Sequence, residues 1–152
     1  MLAVSVLRDY TLIWRADSAL KSDGEDFAAA WERALATREW AAILRPGSTP
    51  TVFHVRQLPG PLWRRLQDYV SDKANRVGPI QFPALAFSLA VTAIDNFDGK
   101  VERVDHVDGN GKPTGLGLVL SPETMAALDT VPDLVTDLGV AILEARANPH
   151  PL

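Results

Sequence analysis

Between Asp26 and Leu44 the apolar residues Phe27, Trp31, Ala34 and Leu35 fall at i, i+4, i+7 and i+8, with Ala42 two turns further on. That spacing gathers them on one helical face and predicts a helix over residues 26–44. A second helix opens at Gly60-Pro61, because the first helical position has no use for the N–H that proline lacks. Its seam is Leu62, Leu66, Tyr69 and Val70, while Arg64, Arg65, Asp68 and Asp72 face outward. Pro83–Asp95 is apolar nearly all round, which predicts a central helix buried on every side. Ser121-Pro122-Glu123 combines an N-cap hydroxyl, a proline at the first position and an acid near the positive end of the dipole. Val131-Pro132-Asp133 repeats that start signal, and Leu134, Val135, Leu138 and Ile142 form the seam of a last helix.

Shorter alternating runs point to strands. They are Thr51–Val55, part of Tyr10–Trp14, and the two arms flanking the turn Asp108-Gly109-Asn110-Gly111. Residues 44–51, rich in Pro, Gly and Ser, and the glycine-rich stretch 99–117 are looser zones. The expected fold is α+β: a predominantly helical single domain over residues 1–147, with a short hairpin and a minor β component. Residues 148–152 are expected to be a flexible tail, since Pro149 and Pro151 cannot continue a helix. Phe87, Leu89, Val91, Leu138 and Ile142 should be deeply buried.

Composition narrows the function classes. A chain of 152 residues is long enough to bury a core without staples. Fifteen Lys+Arg against 19 Asp+Glu give a net charge of -4, the wrong sign for a general nucleic-acid binder. Without cysteine there is no disulfide, thiolate nucleophile or cysteine-ligated zinc. The apolar start, Met1 to Leu7, is too short for a signal core and is followed by Arg8 and Asp9. The longest apolar run, residues 82–94, falls short of the ~20 residues a membrane span needs. A protein made and used in solution is expected, with no nucleic-acid or membrane partner.

Motifs that carry chemistry are few. Gly111-Lys112-Pro113-Thr114 has a proline where a phosphate-binding loop needs Ser or Thr, and His106 where its first glycine belongs. The acidic stretch 95–111 fails as an EF-hand in either frame, with His106 or Ile94 at the first ligand position. His54, His106 and His150 lie at no metal-ligand spacing, and no serine sits in a G-x-S-x-G elbow. The expectation is a protein that is not an enzyme and holds no cofactor and no metal.

The four tryptophans are the remaining candidates, because tryptophan is enriched at binding hot spots. Trp14 and Trp31 are assigned to the core. On a straight helix from Asp26, Trp40 lies on the far side from Phe27 and Trp31, near Ile43 and Leu44. Trp40, Ile43 and Leu44, extended by Trp63, are the expected partner-binding patch. The competing reading has Thr37 capping a new short helix with Glu39 in its first turn, which returns Trp40 to the core.

The segment Arg45-Pro46-Gly47-Ser48-Thr49-Pro50-Thr51-Val52-Phe53-His54-Val55-Arg56-Gln57-Leu58 resembles a P-G-x-x-P-T-x-F-x-L-R-x-L segment of tailed-phage tail assembly chaperones and tail assembly proteins. The downstream order is similar too: an apolar stretch ending in Ala93-Ile94-Asp95-Asn96-Phe97-Asp98-Gly99, a polar insert, Leu120-Ser121-Pro122-Glu123, and Leu138 to Leu143. The resemblance covers residues 44–146. It implies a role without a reaction, in which the tape-measure protein is held soluble until tail-tube subunits polymerise around it. The implied partners are the tape-measure and tail-tube proteins and the chain itself, and the implied place is the host cytoplasm. Two alternatives stand beside it: a structural virion component (minor tail, head–tail connector or capsid-associated protein), and a small cytoplasmic regulator or inhibitor of a host protein.

Overall fold

The computed structural model describes residues 9–21 and 26–147, so the expected tail lies outside the described residues. Three short strands form an antiparallel sheet in the order β1 (Tyr10–Leu12), β2 (Val52–Val55), β3 (Val91–Asp95). In the central strand β2 alternation does what period-2 patterning requires: Phe53 and Val55 are buried, while Val52 and His54 face outward and are half-covered. Leu12 pairs opposite Phe53 and is also buried. Phe53 meets Phe87 edge-on, ring centroids 5.8 Å apart. Each such side chain taken from water contributes ~1.5–3 kcal/mol, so this layer is the floor of the core.

Helix α1 spans Phe27–Thr37 and buries Trp31, Ala34 and Leu35. The expected continuation to residue 44 does not form. Arg38 takes a left-handed backbone (φ 65), which no α-helix tolerates, and a short 3₁₀ turn follows at Trp40–Ile43. The break carries the indole of Trp40 back against Trp31, centroids 5.8 Å apart and planes at 64°. Thr37 does not begin a new helix. Its hydroxyl donates to the Arg33 carbonyl at 2.8 Å and accepts the Glu39 N–H at 3.4 Å, tying off the end of α1.

Helix α2 (Gly60–Ser71) starts where the proline signal places it and buries Leu62 and Leu66, with Tyr69 and Val70 half-buried. Helix α3 covers only Gln81–Ala90, and the chain passes without a loop into β3. The expected single helix over Pro83–Asp95 is therefore a helix and a strand. Val91, Thr92 and Ile94 are β-branched and prefer extended backbone. In β3 they reach the backbone groups of β2, with Phe53 opposite Ile94 and His54 opposite Ala93. The expected burial of Phe87, Leu89 and Val91 holds, as does that of Leu138 and Ile142.

Strands β4 (Arg103–Val107) and β5 (Pro113–Leu120) form the expected hairpin as a separate two-stranded sheet. Helix α4 (Pro122–Asp129) is capped by Ser121, whose hydroxyl accepts the Thr124 N–H at 3.2 Å. The Val131-Pro132-Asp133 signal works differently. Pro132 lies in the turn, Asp133 is left-handed (φ 67), and α5 runs over Leu134–Ala147. Helix α5 packs on α3 at close range because Gly139 has no side chain: a Cβ there would lie 2.2 Å from the Pro83 carbonyl oxygen. No helix among the described residues is long and apolar enough to cross a membrane.

Candidate functional site

The four residues expected to form a partner patch are not gathered at the surface. Trp40 and Ile43 are 7% and 8% exposed, so the break at Arg38 removes the patch that a straight helix would have displayed. Leu44 is half-buried and bridges Leu20. Trp63 is half-buried beneath the Arg146 guanidinium, 5.3 Å from its ring centroid. Of the two tryptophans assigned to the core, Trp31 is there, its N–H donating to the Ile13 carbonyl at 2.8 Å. Trp14 is half-buried and donates to the Asp137 carboxylate at 3.1 Å.

The fold opens a different groove between α1 and α5. Leu138 and Ile142 use one face of α5 for the core, and Asp137, Val140, Ala141, Glu144 and Ala145 occupy another at helical spacing. That face and the α1 residues Trp31, Glu32 and Leu35 enclose about 490 Å³. Arg15 crosses one end, its guanidinium 4.7 Å from the Trp31 centroid and 3.8 Å from the Glu32 carboxylate. The apolar lining is Val140, Ala141 and Ala145 over the buried Trp31 and Leu35, and the rim holds three acids, Glu32, Asp137 and Glu144, against the single cation Arg15. Val140, 38% exposed, offers an apolar contact at the lip. The sequence signal for this groove was a second stripe on α5, masked because the Leu138–Ile142 seam alone already satisfies an amphipathic reading.

A second cleft, of about 580 Å³, lies between β3, β5 and the start of α2. Arg56, Arg65 and Arg103 line it, and no carboxylate does. Arg103 donates through both terminal nitrogens to the carbonyls of Ser88, Leu89, Val91 and Leu118. Arg56 adds its N–H to Ala90 and its Nε to Leu89. The carbonyls that α3 leaves open at its C-terminus are thus met by two cations, which its dipole favours. Burial, and then the neighbouring Arg56, push the Arg103 pKa below the usual guanidinium value.

Polar clusters elsewhere have local explanations. His54 and Asp95 meet at 2.7 Å as a diagonal cross-strand pair, 42% and 57% exposed. In the hairpin turn, Asp108 accepts the N–H groups of Asn110 and Lys112 at 2.8 and 3.0 Å, which holds its carboxyl below the ordinary range. Among the described residues, no three His, Cys, Asp or Glu side chains converge as a metal site. Comparison with protein-family models, with curated proteins and with solved structures finds no match to this chain.

Proposed function

We propose that this chain is a non-enzymatic morphogenesis protein of a tailed phage, chaperone-like in tail assembly, that acts in the host cytoplasm by holding a segment of the tape-measure protein. The observation that carries the reading is the groove between α1 and α5, with apolar walls and an acid-rich rim. Such a groove suits one kind of occupant: an amphipathic helix that lays its apolar face on Val140, Ala141 and Ala145 and presents lysines or arginines to Glu32, Asp137 and Glu144. The rim charges steer and orient, while the apolar walls supply the affinity. The phage setting rests on the resemblance over residues 44–146. The quoted segment lies in the middle of the scaffold, where it builds the turn at Gly47, the strand β2 and the Arg56 contact to α3.

The test is co-expression with the tape-measure protein of the phage that this reading assigns it to. The wild-type chain should raise the soluble fraction of the tape measure and co-purify with it. Val140→Glu should abolish both effects while shifting stability by no more than about 0.5 kcal/mol, as a surface change does. Failure of the wild type to keep the tape measure soluble would overturn the reading. Stoichiometric presence of the chain in purified particles would favour a virion component instead.

A further inference from the structure

The arginine cleft is unexplained by that function. Three guanidinium groups from separate parts of the fold, the residue after β2, α2 and the start of β4, converge on one cavity in a chain whose net charge is -4. Among the described residues none of them forms an ion pair. The hydrogen bonds already made show what is left over. Arg103 spends both terminal nitrogens on neutral carbonyls, so its charge is fixed in place and uncompensated. Arg56 uses only Nε, on Leu89, and its two terminal nitrogens have no acceptor among the described residues. Arg65 uses Nε on Pro61 and Nη1 on Gly115, at 3.4 and 3.3 Å, and retains Nη2. The α3 C-terminus offsets about half an elementary charge, against three positive ones. The cleft therefore stays positive. Its walls near Leu62 and Leu116 are apolar, which weakens screening by water.

We infer that this cleft is an oxyanion-binding site, in which the free guanidinium edges of Arg56 and Arg65 take a carboxylate or phosphate group under the fixed charge of Arg103. Guanidinium forks match the two oxygens of such groups in a plane, which lysine does not. Neutral carbonyls already hold Arg103, so an incoming anion gains its field without having to reorganise it. The groove between α1 and α5 does not share these residues.

Titration followed by the Nε–Hε resonances of the arginines tests the inference directly, with inorganic phosphate in one arm and a capped acidic hexapeptide in the other. Saturable shifts at Arg56 and Arg65 are expected in at least one arm. A response to phosphate alone assigns the site to free anions, and a response to the peptide alone assigns it to an acidic segment. Arg65→Gln should weaken the responding probe by about tenfold or more, while Arg64→Gln, one residue along and outside the cleft, should leave it unchanged. No saturable shift up to about 10 mM of either probe, or equal loss in both variants, overturns the inference.

Discussion

Arg38 decides the environment of Trp40. Its φ of 65 is uncommon for a residue with a side chain, and the strain is offset where its guanidinium stacks on Tyr10, 4.5 Å from the ring centroid. Burial pushes the Tyr10 pKa well above the ordinary phenol value, and it lowers that of Arg38. With the chain turned there, Trp40 packs edge-on to Trp31, although its own N–H finds no acceptor among the described residues. Trp40→Ala should therefore cost ~3–5 kcal/mol in denaturant unfolding, the range for a buried aromatic. Trp40→Phe keeps a ring and removes the unpaired donor, whose burial itself costs about 1–3 kcal/mol, so it should cost far less than the alanine change. Equal losses in the two variants would show that a phenyl ring recovers none of the packing of the indole. A straight helix put Trp40 opposite Trp31 and a break near Thr37 returned it to the core; the structure has the break, at Arg38. The sequence offered that break only as an alternative, because the left-handed position is filled by arginine rather than glycine.

Among the elements, the β4–β5 hairpin is the most legible, and it holds two groups whose pKa values are lowered in the fold. Asp108-Gly109-Asn110-Gly111 announces the turn, and Asp108 and the positive φ of Gly111 (77) build it. His106 braces the hairpin beside this turn, its Nδ1 2.7 Å from the Thr114 hydroxyl and its ring edge-on to Tyr69 at 5.3 Å. Burial lowers its pKa below the usual 6.5, outweighing Asp105 and Asp108, which pull it upward. The folded hairpin thus prefers the neutral ring. Its contribution is whole above about pH 6.5 and is lost as the pH falls through the lower folded value, since the unfolded chain takes up the proton first. The melting midpoint of the wild type should fall between about pH 7 and about pH 5 by more than that of His106→Gln. Identical profiles would show that the ring titrates alike in both states. Asp108 acts in the same direction further down, losing its contribution as the pH drops below its ordinary carboxylate range.

For the whole molecule, the contact between α3 and α5 joins the helical layer to the sheets. It depends on Gly139, which no helix signal favours, since glycine costs a helix interior ~1 kcal/mol relative to alanine. The gain is proximity: the Pro83 carbonyl occupies the space where a Cβ would be, 2.2 Å away. Gly139→Ala should therefore destabilise by about 1–3 kcal/mol despite its better helix propensity, because backbone must move to admit the methyl group. A urea midpoint that rises instead would mean the two helices are further apart than this packing requires. The same contact positions the outer face of α5, so a shifted α5 should also alter the groove that α5 forms with α1.

What the sequence determined by itself is what neighbours in the chain control. The Ser121 cap, the proline start of α2, the alternation of β2 and the 108–111 turn each rest on groups a few residues apart, and each is found. Tertiary structure decided the rest. Val91–Asp95 is an edge strand that buries Val91 and exposes Thr92, Ala93 and Asp95, and it follows directly on the apolar run of a buried helix. Periodicity does not mark where helix gives way to strand, because the buried helix shows no polar face and the strand after it is too short to show an alternation of its own. The choice falls to the unpaired backbone of β2 and to the donors of Arg56 and Arg103 waiting at the end of α3. The convergence of residues 56, 65 and 103 on one cleft, and of residues 15, 31 and 144 on one groove, has the same origin. Long-range contacts form only when packing brings separate elements together, and no local pattern records which ones will meet.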